Sequence, residues 1–189
     1  MIILGLDAAT NVGWAVYDTD RHHSAIRMGS FRCGASNDTE PEKIRTLRSA
    51  LPKILKAEKP GFVAIEAPLD NIKAHEKSVT DPLTGEERVI TTVNAKATLI
   101  SSGLAYAATM CVAGYNLPFV WVRPQTWRTI IPINMRKSAK DNKAAVKAFC
   151  ETLRIAGGNE HGRDAATIAF WAAGHCQELK MMQRVEAAG

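Results

Sequence analysis

The N-terminal segment MIILGLDAATNVGWAVYD constrains the fold more than any other part of the sequence. The short apolar run ILGL is followed by turn residues, which is typical of a strand that is covered on both faces. The turn AATN separates this run from a second predicted strand, VGWAVYD. The first strand therefore ends at Asp7, and an acid at the end of a core strand is either a turn former or a site residue.

Length and composition indicate one ordinary globular domain over residues 1–189. A chain of 189 residues that is 46% hydrophobic and 23% charged is neither disordered nor fibrous and can bury a proper core. No stretch approaches the ~20 apolar residues of a membrane helix, and the N-terminus lacks the features of a signal peptide, so we expect a cytoplasmic protein. The four cysteines are scattered without a CxxC pair, which predicts neither a zinc site nor disulfides.

The first half of the chain predicts three strands in a meander, then a helix and a fourth strand. The helix lies in TEPEKIRTLRSALPKILKAEKP, where Thr39 and Glu42 resemble a capping box and Pro52 predicts a kink or break. The fourth strand, GFVAIEAP, ends in Glu66. The following polar segment, at about 69–92, contains no aromatic residue and predicts an exposed loop or hairpin insertion.

The second half predicts an Ala-rich helix over about 94–113, a strand in LPFVWVRP and two further helices. We expect the helix in DNKAAVKAFCETLRI to end at Gly157 and Gly158, and the last helix to begin near Asp164. This order predicts a mixed α/β sheet with helices on both faces. The right-handed crossover rule places the later strands parallel to the first strand and beside it.

The acids form a set in this topology. Asp7 and Glu66 end neighbouring parallel strands, which lie about 4.8 Å apart. Carboxylates this close repel each other unless a cation lies between them, and carboxylate oxygens are ligands that Mg²⁺ prefers. His161 and Asp164 are three residues apart, so they project from one helix face. The pattern predicts a metal site of Asp7, Glu66 and Asp164, whereas His161 taken alone is more typical of a helix cap or a bystander than of a metal ligand.

The chain carries a net charge of +5, which is unevenly distributed. The segment from Trp121 to Arg154 contains eight basic residues and two acidic ones. Such a concentration of positive charge is what a phosphate backbone attracts, although a solvated basic helix face gives the same pattern.

Three blocks of the sequence together resemble the RuvC family of Holliday junction resolvases, within the RNase H-like superfamily. They are ILGLDAATNVGWAVYD, FVAIEAP and HGRDAATIAFWAAGHC, in this order and near these spacings. The resemblance implies a five-stranded mixed sheet, with three antiparallel meander strands and two parallel strands, flanked by helices. It also implies a homodimer that cuts opposing strands of a four-way DNA junction with Mg²⁺ or Mn²⁺, two ions per site.

By position, the resemblance assigns catalytic and metal-binding roles to Asp7, Glu66, His161 and Asp164. Many family members have a fourth acid where this chain has His161, and some have histidine. The helix at about 94–113 corresponds to the dimer interface of the family. The residues implied to bind DNA backbone are Arg128, Arg136, Lys137, Lys140 and Lys143.

Three alternatives stay open at this stage. The segment after Glu66 lacks the aromatic residue that bacterial resolvases insert into the junction, so the substrate could be another branched or flapped DNA, as in phage-type relatives, or an RNA–DNA hybrid. A non-catalytic DNA-binding protein on the same fold is the second alternative. The first block also resembles the phosphate-binding opening of actin-like ATPases and sugar kinases, although those enzymes need a second lobe that 189 residues do not supply.

Overall fold

The computed structural model describes residues 1–68, 74–80, 85, 87–93, 95–138 and 140–188. The strands are β1 (Ile2–Asp7), β2 (Asn11–Asp18), β3 (Arg27–Arg32), β4 (Phe62–Glu66), β5 (Ala74–Thr80), β6 (Glu87–Val93) and β7 (Phe119–Val122). The helices are α1 (Glu40–Glu58), α2 (Ala95–Gly114), α3 (Pro124–Trp127), α4 (Ile133–Ser138), α5 (Asn142–Thr152), α6 (Glu160–His175) and α7 (Gln177–Ala188).

The main sheet has five strands in the order β3-β2-β1-β4-β7. The pairs β1–β2 and β2–β3 are antiparallel, whereas β1–β4 and β4–β7 are parallel. The predicted mixed sheet, with a three-stranded meander and two parallel strands beside the first strand, is therefore confirmed.

The central strands β1 and β4 are buried on both faces, which explains why their sequences are almost continuously apolar. In β1, Ile3 joins the core on the side of α5 and α6, whereas Leu4 and Leu6 join the core on the side of α1 and α2. In β4, Ala64 lies in the core on the side of α5 and α6, and Val63 lies in the core on the side of α1 and α2. The two-residue period of a strand thus divides each central strand between two cores.

Helix α6 packs directly on the backbone of the sheet because two strand residues have no side chain. A Cβ atom at Gly5 would lie 2.2 Å from the carbonyl oxygen of Ala165, and one at Gly13 would lie 2.0 Å from that of His161. No real Cβ atom could occupy either position without moving the helix. This close approach brings the N-terminal turns of α6 to the edge of the sheet where β1 ends.

Helix α1 confirms one local prediction and corrects another. Thr39 and Glu42 form the predicted capping box. The helix nevertheless continues through Pro52, so of the predicted kink or break, the break does not occur. Proline removes one backbone hydrogen bond from the helix, but Leu47, Leu51 and Leu55 are all buried on one face, and their packing holds the helix on both sides of Pro52.

The C-terminal half differs from the sequence prediction in its helix boundaries. Helix α5 ends at Thr152, and Arg154 rather than a glycine takes the left-handed conformation after it, with φ 56°. The last predicted helix begins earlier, at Glu160, because Asn159 caps it. It is also divided in two, since the buried Cys176 adopts an extended backbone between α6 and α7. The short helices α3 and α4 were not predicted.

Strands β5 and β6 form a separate antiparallel two-stranded sheet, in register from Ala74 opposite Val93 to Thr80 opposite Glu87. They lie in the segment at about 69–92 for which an exposed loop or hairpin insertion is predicted. Residues 69–73, 81–84 and 86 of that segment lie outside the described residues, so the insertion and the single-domain organisation stay predictions.

Two further sequence expectations concern cysteines and membrane helices. All four cysteines are free thiols, as expected: Cys33, Cys111, Cys150 and Cys176. In the described part of the chain, none of the helices combines the length and apolar character that crossing a membrane requires.

Candidate active site

Two of the predicted site acids lie side by side at one edge of the sheet. The register of β1 and β4 pairs Leu6 with Ile65, so Asp7 and Glu66 are the next residues along two neighbouring parallel strands. Both line a cleft of about 330 Å³, and Arg128 lines it as well. The topology thus brings together the two acids that the sequence singled out.

Glu66 is the most perturbed acid of the cleft. Its burial, followed by the negative charge of Asp7, raises its pKa to about 8. Two neighbours oppose this effect: the indole of Trp127, whose Nε1–H donates a hydrogen bond of 2.9 Å to Oε2 of Glu66, and the guanidinium of Arg128. At neutral pH Glu66 therefore carries a proton as long as no cation shares the cleft.

The start of α6 supplies the third acid and the histidine. The side-chain oxygen of Asn159 accepts a hydrogen bond from the Gly162 N–H, and its amide nitrogen donates to Ser30 Oγ on β3. These two bonds fix the first turn of α6 against the sheet. In that turn, His161 Nδ1 lies 3.4 Å from Oδ2 of Asp7, and this contact raises the pKa of His161 above its ordinary value.

Asp164 lies one turn further along α6 and is electrostatically linked to the same acids. Its burial and the charge of Asp7 raise its pKa to about 6, against the opposing effect of Arg128. Asp164 in turn contributes to the raised pKa of Glu66. Asp7, Glu66 and Asp164 therefore form one coupled acidic cluster, in which each negative charge disfavours the next.

The donor set of this cluster fits a divalent cation. Buried carboxylates that repel each other are stabilised by a shared positive charge, and oxygen is the donor that Mg²⁺ and Mn²⁺ accept. Among the described residues, no three His, Cys, Asp or Glu side chains converge closely enough to hold an ion as they stand. Magnesium, however, keeps several waters and is held by one or two carboxylates together with substrate phosphates, so full convergence is not required.

A chain of polar contacts leads from the cleft to the basic surface. Nε2 of His161 lies 3.5 Å from Glu160 Oε1, and Oε2 of Glu160 lies 2.8 Å from Nζ of Lys143 on α5. The contacts thus form a continuous chain that runs from Asp7 through His161 and Glu160 to Lys143. This chain places one of the predicted DNA-binding residues next to the acidic cluster.

The other predicted DNA-binding residues occupy two kinds of position. Arg128 lies in the cleft itself, where its guanidinium carbon is 4.7 Å from the centre of a Trp127 ring. The remaining three are solvent-exposed on α4 and in the loop that follows it: Arg136, Lys137 and Lys140. The charge of the segment is therefore divided between the cleft and the surface.

Sequence reasoning missed four residues that shape the site. They are Gly13, Trp127, Asn159 and Glu160. The N-cap signal of Asn159 was available, because asparagine is favoured immediately before a helix. The role of Gly13 has no local signal, since only the packing of α6 shows why a side chain is excluded there.

A second notable surface lies on α2. Leu99, Tyr106 and Met110 are 61%, 52% and 76% exposed and follow one another at helical spacing along one face. Met110 also lines a groove of about 490 Å³ together with Ile44 and Arg48 of α1. We call these three α2 residues the apolar stripe.

Comparison with known proteins adds evidence on the fold. No protein-family model matches the sequence, and no curated protein sequence matches it either. Among solved structures, Thermus thermophilus RuvC in complex with Holliday junction substrate superposes with a TM-score of 0.61 at 14% identity, covering 96% of each chain. A second structure of Thermus thermophilus RuvC gives a TM-score of 0.60 at 15% identity, covering 96% of this chain and 97% of that one.

These comparisons show that the chain has a RuvC-like fold, which is a form of the RNase H-like fold. At such low identity the likeness extends to the arrangement of strands and helices and not to individual residues.

Proposed function

We propose that the protein is a metal-dependent endonuclease that hydrolyses phosphodiester bonds in branched DNA, with the four-way junction as its first substrate. The observation that carries the proposal is the coupled cluster of Asp7, Glu66 and Asp164, in which the pKa values of Glu66 and Asp164 are raised. The RuvC-like fold supports the choice of substrate, because one of the similar RuvC structures is in complex with Holliday junction substrate.

The acids would hold two divalent cations, Mg²⁺ or Mn²⁺. In this assignment Asp7 would be a ligand of both ions, while Glu66 and Asp164 would hold one each. Bound cations supply a water that is deprotonated at neutral pH and neutralise charge that develops on the leaving oxygen. The carboxylates would hold the cations in place, and through them the scissile phosphate would be positioned relative to that water; proximity of this kind contributes a large part of the rate.

His161 has two roles compatible with its contacts. Its Nδ1 faces Asp7, so a neutral ring can act as a further nitrogen ligand or accept a proton from the attacking water. Glu160, on the other side of the ring, orients it. Both roles need the ring to be neutral when the water is activated.

The basic residues would bind the DNA backbone. Arg128 lies in the cleft, and Lys143 lies beside the acidic cluster through Glu160. Arg136, Lys137 and Lys140 are exposed and extend the charge away from the site. Contacts of this kind position phosphates and carry no direct sequence information.

We also propose that the protein works as a homodimer joined through α2. Paired cuts in opposing strands need two sites, and the acidic cluster described above is one. The apolar stripe exposes large side chains that water solvates poorly, and the adjoining groove offers a surface into which such side chains fit. A second copy of the chain is therefore the occupant that we assign to this face.

The test is cleavage of end-labelled four-way junction, flap, RNA–DNA hybrid and linear duplex in Mg²⁺ or Mn²⁺. Asp7→Asn is compared with Asp18→Asn, a matched control at the opposite end of the sheet, where Asp18 pairs with Ile2. We expect paired symmetrical nicks in the junction that Asp7→Asn abolishes and Asp18→Asn retains.

Other outcomes separate the alternatives. Preferential cutting of flaps or hybrids would keep the site and replace the substrate. Junction binding without metal-dependent cutting of any substrate would favour a non-catalytic DNA-binding protein and overturn the enzymatic proposal.

A further inference from the structure

We infer that Trp127 is a positioning residue that holds the Glu66 carboxylate in the orientation needed to bind a divalent cation. This inference rests on the proposed function, in which Glu66 is a metal ligand. It adds a residue of the short helix α3 to the site, outside the set of acids, histidine and basic residues assigned above.

The contact between the two residues is direct and enclosed. Trp127 has 0% of its surface exposed, and its Nε1–H donates to Oε2 of Glu66 at 2.9 Å. Once Glu66 is ionised, as it is when it binds a cation, the acceptor of this bond is charged, and such a bond is about twice as strong as one between neutral groups. The hydrogen bond from Trp127 uses Oε2 of Glu66 and not Oε1. It also restricts the rotation of the carboxylate. Partners of this kind orient metal ligands, and their loss typically costs about 10–100-fold in metal affinity or activity.

The backbone around Trp127 explains how it reaches this position. Strand β7 lies beside β4, and the Ala67 N–H donates to the Val122 carbonyl, which ties the ends of the two strands together. Helix α3 follows immediately, and Trp127 closes its single turn. The indole therefore approaches Glu66 from the strand on the far side of β4 from Asp7.

The same indole also supports a positive group. The guanidinium of Arg128 lies over a Trp127 ring at 4.7 Å, and its Nε is buried without a hydrogen-bond partner in the part of the chain that the structure describes. Cation–π contact holds the guanidinium at the wall of the cleft. The Trp127 side chain thus fixes the Glu66 carboxylate and the Arg128 guanidinium relative to each other.

A structural role alone makes a different prediction. A buried indole N–H usually needs an acceptor. If Trp127 had a structural role only, a neutral carbonyl in the place of the Glu66 carboxylate would serve the fold equally well. If Trp127 only filled the core, its replacement would lower the melting temperature and leave the metal affinity of the folded protein unchanged.

The test uses two replacements of Trp127 in the full chain. Trp127→Phe removes the N–H and part of the ring. The analogue β-(3-benzothienyl)alanine at position 127 replaces the N–H by sulfur and keeps the ring size, so it serves where phenylalanine does not fold. The control is Trp171→Phe, which changes another tryptophan of the same apolar core.

The first readout is Mn²⁺ binding without DNA, measured by titration calorimetry and by the electron spin resonance of free Mn²⁺. We expect both replacements of Trp127 to weaken Mn²⁺ binding about 10–100-fold while Trp171→Phe leaves it unchanged. The second readout is single-turnover junction cleavage, where we expect the rate constant to fall and the Kd for junction DNA to stay within about twofold.

The outcomes distinguish this inference from the proposed function. Unchanged Mn²⁺ affinity in the folded analogue would overturn the positioning role, whatever the wild-type protein cuts. If wild type binds Mn²⁺ in a Glu66-dependent manner and cuts no DNA, the proposed function fails and the Mn²⁺ titrations still decide the inference. If wild type shows no Mn²⁺ binding that Glu66→Gln removes, the positioning role is overturned, and the cleavage assay decides the proposed function separately.

Discussion

The acidic cleft and the apolar stripe are unfavourable in the isolated chain for opposite reasons. In the cleft Glu66 lies beside Asp7, and Asp164 is coupled to both, so negative charges repel each other in surroundings that solvate them poorly. The stripe exposes Leu99, Tyr106 and Met110 to water, which costs about 25 cal/mol for each Å² of apolar surface.

The difference indicates what each region binds. Repulsion among carboxylates is relieved by a cation or by protons, so we expect the cleft to respond to metal and to pH. Exposed apolar surface is covered by another apolar surface, so we expect the stripe to respond to protein concentration and hardly to pH. The five predictions below test the two regions, from the largest expected effect to the smallest.

Asp7→Asn has the largest expected effect. Asparagine keeps the size of the side chain and removes the charge that the proposal places between two cations. We expect single-turnover cleavage of four-way junctions to fall at least about 1,000-fold, as for a residue that acts directly on the reacting centre. Sedimentation velocity checks that the oligomeric state is unchanged. Retained cleavage would remove Asp7 from the catalytic set.

The pH dependence of metal binding is the second prediction. Because the pKa of Glu66 is about 8 and that of Asp164 is about 6, cations must displace protons at neutral pH. We expect Mn²⁺ affinity to rise with pH between 6 and 8, roughly tenfold per pH unit when one proton is released. Calorimetry in buffers of different ionisation enthalpy measures that proton release directly.

The same shift predicts the stability of the metal-free protein. The folded state binds the Glu66 proton more tightly than the unfolded chain, so this contribution to stability is present at low pH and is lost as pH rises from 4.5 towards 8. At pH 8 we expect Glu66→Gln to have a higher melting temperature than wild type, by about 2–4 °C for each kcal/mol of stability recovered. At pH 4.5 we expect the difference between the two melting temperatures to be smaller. A constant difference at both pH values would contradict the raised pKa.

A charge in the apolar stripe is the fourth prediction. In a dimer joined through α2, Met110→Glu places two like charges in or near one interface. We expect the dimer Kd to rise at least about tenfold, equivalent to 1.4 kcal/mol, with junction cleavage changing from paired cuts to single nicks. Sedimentation equilibrium measures the Kd. The matched control is Met181→Glu on α7, where the side chain is similarly exposed. Equal effects of both variants would remove α2 from the interface.

The smallest expected effect belongs to Lys143. Lys143→Ala removes one positive charge next to the cleft, and we expect junction affinity to fall about 3–10-fold and the slope of log K against log salt to decrease by about 1. Lys147→Ala is the control on the same helix, where Lys147 pairs with Glu151 instead of Glu160. Filter binding at several salt concentrations distinguishes the two. Identical slopes for wild type and Lys143→Ala would exclude a phosphate contact.

Much of the fold was predictable because its signals are local. The apolar strands, the helical spacing of α1 and the capping box at Thr39 each depend on residues a few positions apart. Helix boundaries were less predictable. Pro52 continues a helix because buried leucines hold it, and Cys176 divides one without any glycine or proline at that position.

Parts of the candidate site followed from strand order. Asp7 and Glu66 could be placed together because acids that end neighbouring parallel strands meet at one sheet edge. Trp127 could not be placed there, since its contact with Glu66 spans 61 positions and depends on how α3 leaves the sheet.

By itself, the sequence determined the five strands of the main sheet, most of the longer helices and which acids end the central strands, because periodicity and turn chemistry act over short distances. The tertiary structure alone decided how those acids are coupled. Glycines at positions 5 and 13 let α6 approach the sheet backbone, and this approach brings His161 and Asp164 to Asp7. Burial, the neighbouring charges and the indole of Trp127 then set the pKa of each group, and such effects arise only when distant segments pack together.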